Sequence, residues 1–211
     1  MQVMLLADRL QAPACFKCAA AVLTANTMEH GTAMAVSSLP PGCLESPAFK
    51  RVIDAAASVV CARLGDLEVA LADASMRQEL LDLSLSALQR LLQHKDTRAA
   101  SENTVFWLAD AWLAQRGGGG EQEQAALAGC ISLLNASSLY LQTVMCQSEW
   151  LQRHRSDLQL AAAYVAAPPD VQKRILLSKW QPVRIAKRPA SPCKEGDAGM
   201  GHVAGGHQAG V

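Results

Sequence analysis

The sequence predicts an all-α protein, on three observations. Apolar residues recur at helical spacing from Val3 to Trp180. No run alternates with the period of two that a half-buried strand requires. Pro13, Gly65, Gly117 to Gly120 and Pro168-Pro169 fall at the ends of the periodic segments, where they stop or start helices.

Bulk properties narrow the class. A length of 211 residues suits one domain with appendages, and half the residues are hydrophobic. Lys plus Arg equals Asp plus Glu at 19 each, so the chain has no general attraction to nucleic acid or to an anionic membrane. No apolar run approaches the roughly 18 residues of a membrane span. Met1 to Ala7 is apolar, but Asp8 and Arg9 cut it short of a signal-peptide core. Seven cysteines, an odd number scattered through helical segments, argue against a disulfide framework and for a reducing compartment. The expected location is the cytoplasm, the nucleus or both.

The elements follow in order. Val3 to Ala12 reads as a short amphipathic helix with Val3, Leu6, Ala7 and Leu10 on one side. Pro13 breaks it and suits the first turn of a second helix, 14–25. Residues 27–45 are mostly connector, with a short helix at 32–37. Pro47 opens a helix to Arg63 that turns Phe49, Val52, Ile53, Ala56, Val60 and Leu64 inward. Gly65 ends it and Asp66 starts the next. A dense leucine run over 79–93 leads into the stretch that organises the chain.

That stretch runs from Leu88 to Leu113. Ser101 is placed to cap a helix, its hydroxyl accepting from a backbone N–H one turn on. Glu102 sets a carboxylate at the positive end of the helix dipole. Val105, Leu108, Ala109 and Trp112 then form one stripe, widened by Phe106 and Leu113. Trp107 points away from this stripe. It is either covered by a neighbouring helix or left as an exposed anchor, and the second layer of a helical bundle favours cover. Beyond the glycines, helices are expected at 121–134, from Ser137 or Ser138 through Met145, from Ser148, at 158–166 and at 171–180. From Gln181 the chain is expected to be disordered, because it holds few large apolar residues among its prolines and glycines.

The organising stretch also carries a resemblance. Leu88, Leu91, Leu92, Asp96, Ser101, Glu102, Val105, Phe106 and Trp112 are spaced as in the signature of the BACK domain. This helical module follows the BTB/POZ domain in adaptors of cullin–RING ubiquitin ligases. Thr97 and Ala99 stand where the family usually has larger apolar residues, which implies a less firmly packed linker. The first two helices resemble the last two of a BTB domain of plant or algal type, with Cys15 at a position that is often Cys there. The resemblance implies BTB-terminal helices at 1–26, a connector at 27–45, a BACK-like array of antiparallel helix pairs at 46–180 and a tail at 181–211. The strand-rich BTB core does not precede Met1, so the chain reads as the back half of such an adaptor or a shortened gene model.

Residues that could carry chemistry have plainer explanations. Cys15 and Cys18 form a lone C-x-x-C, without the second pair that a zinc site needs. On a helix the two share a face, and packing as small apolar side chains explains them. His30, His94 and His154 are isolated, and Asp73, Glu79, Asp82, Glu102 and Asp110 are expected on solvated helix faces. Lys173, Arg174, Lys179, Arg184, Lys187, Arg188 and Lys194 read as a solvated face running into a soluble tail, with a nuclear-import patch as the lesser reading. No catalytic, metal or cofactor-binding residue is assigned, and the chain is not expected to be an enzyme.

The resemblance implies a non-catalytic adaptor or scaffold that binds proteins: a cullin and a substrate when a BTB region is present. Val3, Leu6, Leu10 and Trp107 are the candidate interaction surface, with self-association through the first helix. The rival reading is a free-standing helical interaction module unrelated to ubiquitin.

Overall fold

Short polar residues between apolar segments decide where this chain breaks into helices. The computed structural model describes residues 1–25, 28–39, 42–43 and 46–177. Within them the chain is all-α, and the only strand-like feature is an isolated parallel bridge between Asp66 and Arg98. The helices are α1 (Gln2–Arg9), α2 (Pro13–Ala25), α3 (His30–Ser37), α4 (Lys50–Leu64), α5 (Leu67–Ala72), α6 (Ala74–Asp82), α7 (Leu85–Gln93), α8 (Glu102–Gln115), α9 (Glu121–Ala128), α10 (Ser138–Thr143), α11 (Arg155–Ala166) and α12 (Pro169–Leu177). Tight 3-10 turns occupy Leu133–Asn135, Met145–Gln147 and Glu149–His154.

Four of these starts carry a side-chain cap. Asp66 accepts from the Val69 N–H at 3.3 Å, Asp73 from Met76 at 2.8 Å, Ser84 from Ala87 at 3.3 Å and Ser137 from Tyr140 at 3.3 Å. Each such cap contributes about 1 kcal/mol. Ser84 thereby splits the leucine run into α6 and α7, and both halves turn leucines inward: Leu80 and Leu83 before the break, Leu88, Leu91 and Leu92 after it.

Several boundaries differ from the expectation. The helix expected over 121–134 stops at Ala128, because Gly129 follows and the next residues turn inward, with Cys130, Ile131 and Ser132 buried. The segment from Ser148 winds as a 3-10 turn, and α11 begins at Arg155 rather than Leu158. Pro47 opens a turn rather than the helix itself, and Phe49 in that turn is fully buried. Residues 178–180, expected at the end of the last helix, and the tail expected to be disordered lie outside the described residues.

One continuous core runs from Met4 on α1 to Ala162 on α11. α3 packs on α4, α4 on α7, α6 on α8 and α10 on α11. The α1–α2 hairpin is seated on α4 through Phe16, whose ring meets Phe49 edge-on at 4.8 Å. On α1 the inward residues are Met4 and Ala7, leaving Val3, Leu6 and Leu10 outside. No helix among the described residues is long and apolar enough to cross a membrane.

His30 and Glu79 are not the isolated, solvated groups expected. Glu79 accepts two hydrogen bonds from Arg63, at 2.7 and 3.0 Å, and stands 2.8 Å from His30 Nε2, tying α3, α4 and α6 together. The Arg63 hydrogen bonds hold the Glu79 carboxyl below its ordinary range, against the opposing effect of burial. A carboxylate depressed on folding stabilises the fold above its unfolded value of about 4.3, and that contribution disappears as pH falls through the folded value. Glu79→Gln should therefore lower the melting temperature slightly at neutral pH, a small effect because both partners are partly exposed. The gap to wild type should close in acid. A gap that stays constant from neutral pH into strong acid would refute this account.

Candidate functional site

The Leu88–Trp112 region forms a single packed unit. α7 has an apolar face of Ala87, Leu88, Leu91 and Leu92, and α8 turns Val105, Phe106, Leu108, Ala109, Trp112 and Leu113 into the same core. Trp112 is 1 % exposed, and its indole N–H donates to the Leu83 carbonyl at 2.9 Å. The Arg116 guanidinium lies 3.8 Å over the Trp112 ring and donates to the carbonyls of Leu81, at 2.8 Å, and Leu83, at 3.1 Å. One carbonyl-rich helix end is thus bound by an aromatic and a cation from α8.

Phe106 joins this unit to the second half of the chain. It stacks on Trp150 at 5.7 Å with 9° between planes and meets Tyr140 edge-on at 5.8 Å. The Trp150 indole N–H donates to Asp110 at 2.9 Å, so Asp110 is engaged rather than freely solvated. Burial, helped by the Asp110 charge, raises the Tyr140 phenol above its ordinary range.

The first turn of α8 is built differently from the expectation. Ser101 occupies the cap position, but its side chain makes no cap hydrogen bond. Glu102 is 3 % exposed rather than solvated, and its carboxylate accepts the Ser132 N–H at 2.9 Å. A helix-start carboxylate therefore anchors the turn that follows α9.

The linker between α7 and α8 is firmly packed, not loose. Thr97 is fully buried and Ala99 is 5 % exposed. The Thr97 hydroxyl donates to the Leu91 carbonyl and lies 3.5 Å from Cys61 Sγ. The linker backbone pairs with the turn between α4 and α5: Arg98 N–H donates to the Gly65 carbonyl at 2.7 Å, and Leu67 N–H to the Arg98 carbonyl at 3.1 Å. Glu68 fastens its far end, accepting from the Ala100 N–H at 3.0 Å and the Thr104 hydroxyl at 2.7 Å. The turn itself requires glycine: a Cβ on Gly65 would fall 2.3 Å from the Cys61 carbonyl oxygen at the end of α4.

Three kinds of surface remain as sites. Trp107, for which cover was the favoured expectation, is 46 % exposed. It sits one turn beyond Asn103, which binds Ser137, and Thr104, which binds Glu68. On α1, Val3, Leu6 and Leu10 are 59 %, 56 % and 69 % exposed. A largely apolar cleft of about 1020 Å³ lies between the α1–α2 hairpin and the start of α4, lined by Ala7, Gln11, Ala12, Phe16, Ala20 and Arg51 among others.

A smaller cleft of about 400 Å³ brings Cys61, His94 and Asp96 together, which spacing in the sequence did not signal. Burial pushes the Cys61 thiol up, opposite to the direction that activates a nucleophile. Among the described residues no group of three His, Cys, Asp or Glu is placed to hold a metal ion. Cys15 and Cys18, expected to pack inward, are both exposed. Phe16 between them takes the inward position on α2 and leaves its neighbours outside. Comparison with known proteins gives no match: no family model, no curated protein and no solved structure is similar to this chain.

Proposed function

We propose that the chain is a non-catalytic adaptor or scaffold that works by binding other proteins, as the BTB-BACK adaptors it resembles do. The observation that carries this reading is the division of the signature stretch into a rigid interior and one exposed anchor. Leu88, Leu91, Leu92, Val105, Phe106 and Trp112 are spent on the core, while Trp107 on the same helix stands in solvent. Trp is enriched among residues that dominate binding energy at interfaces. The apolar triad on α1 offers a second contact face, suited to self-association or to an adjoining BTB region. No cofactor, nucleic acid or membrane enters this reading.

By the resemblance, cullin recognition belongs mainly to a BTB core and the BACK part spaces and orients a substrate-recognition part. A pull-down with a purified cullin N-terminal domain tests this, comparing the chain alone with the chain joined to an upstream BTB region. The short chain should not be retained and the extended one should be. Tight binding by the short chain overturns the division of labour. Failure of both hands the argument to a free-standing interaction module. That second reading has its own support: Phe16 and Phe49 seat the α1–α2 pair on the chain's own α4, a packing that needs no further domain.

A further inference from the structure

We infer that Cys15 and Cys18 form an oxidation site: a vicinal dithiol on the outer face of α2 that hydrogen peroxide converts to an intrahelical disulfide. The reasoning starts from Phe16. Its ring is buried and held edge-on against Phe49, which fixes the rotation of α2 about its axis. The residue before it and the residue two after it then face outward together, and both thiols are free and exposed. Exposure with a second thiol at hand to resolve the first oxidation product is what makes a cysteine pair reversibly oxidisable.

Geometry permits closure at this place. Side chains three apart on a helix have Cβ atoms about 5–6 Å apart, while a disulfide needs about 3.5–4.5 Å. Tightening one turn toward the 3-10 form, in which positions i and i+3 eclipse, supplies the difference. Cys15 is the third residue of α2, inside the first turn, where such tightening disturbs the fewest helical hydrogen bonds. The other exposed-to-buried comparison favours the same pair. Cys61 and Cys130 are buried, and Cys43 and Cys146 are only partly exposed.

The chemistry balances with one equivalent of peroxide. One thiolate attacks a peroxide oxygen, the O–O bond breaks, and hydroxide leaves to become water, giving a sulfenic acid. The second thiol sulfur attacks that sulfur, the S–S bond forms and the S–O bond breaks. The departing hydroxide takes the second thiol's proton as water. Two thiols lose two electrons and the peroxide gains them.

Lys17 lies between the two cysteines, so the sequence supplies its own readout. Trypsin with a glutamate-specific protease separates residues 10–17 from 18–29, each holding one cysteine. After brief exposure of the full chain to near-stoichiometric peroxide, these two fragments should be found joined, and dithiothreitol should part them. Cys15→Ser and Cys18→Ser should each abolish the joined species while leaving the helical circular-dichroism spectrum unchanged. Oxidation that stops at sulfinic acid on either residue, or linkage of either to Cys43 instead, overturns the inference.

Discussion

Trp112→Ala should lower the stability of the fold by about 3–5 kcal/mol, the cost of large-to-small changes in a close-packed core. A typical domain has only about 5–15 kcal/mol in total, so the variant should melt far below wild type or populate the unfolded state at ambient temperature. Three separate losses converge on this one side chain. Its ring volume leaves a cavity at a fully buried point on the face of α8 that packs on α6. The Leu83 carbonyl at the α6–α7 break loses its indole donor. Arg116 loses the ring it covers, and with it the constraint that aims its guanidinium at Leu81 and Leu83. Trp112→Phe separates these contributions: it keeps most of the ring and removes the N–H, and should fall between wild type and alanine. Chemical denaturation followed by circular dichroism measures both. An alanine variant with an unchanged midpoint would mean that α8 is not the core helix of this protein.

How this helix was legible in the sequence, and what was not, follows from what periodicity encodes. Val105, Leu108, Ala109 and Trp112 repeat at the helical period, and the stripe they make must be buried for the helix to be stable. Periodicity names the face opposite that stripe but not what lies against it. Trp107 therefore could not be placed from spacing alone, and its 46 % exposure is a property of the tertiary packing. The C-x-x-C shows the same limit. Spacing requires that Cys15 and Cys18 share a face, but Phe16 is far larger than a cysteine and takes the inward one, a competition that pairwise spacing does not weigh.

Thr97 and Ala99 show a different failure. Measured against larger apolar residues, they suggested a loose linker, because side-chain volume was taken as the measure of packing. Here the backbone itself ties the linker down, Arg98 to Gly65 and Leu67 to Arg98, so the linker is held without large side chains. The fit of threonine is also chemical, since its hydroxyl donates to the Leu91 carbonyl in the last turn of α7, which accepts the His94 N–H as well. Polar residues at helix starts were read most reliably where the side chain bonds within its own turn, as at Asp66. They were misread where the partner comes from far along the chain, as at Glu102, and the same holds for Glu79 in the middle of α6.

Glu102 carries the second large prediction, because a carboxylate at the start of a helix is ordinarily an exposed dipole partner and here it is buried. Its Oε2 accepts the N–H of Ser132, thirty positions away, and Ser132 itself is fully buried. Glu102→Ala would leave that N–H without this acceptor in a place water does not reach. Hydrogen bonds to charged groups are worth about 1.5–3 kcal/mol, and the expected loss falls in that range. Part of it is offset, because the alanine variant no longer buries a charge. Glu102→Gln keeps a carbonyl oxygen at the same reach and should lose clearly less than alanine. The loss should also be local. Hydrogen exchange in Glu102→Ala should rise at Ser132 and its neighbours Cys130 and Ile131 well before it rises in α4. The dipole reading predicts otherwise: alanine and glutamine would cost the same few tenths of a kcal/mol that a solvent-screened charge gives at a helix terminus, with no change at Ser132. Equal, small effects for the two variants would therefore restore Glu102 to a surface role and remove the link between the start of α8 and the turn after α9.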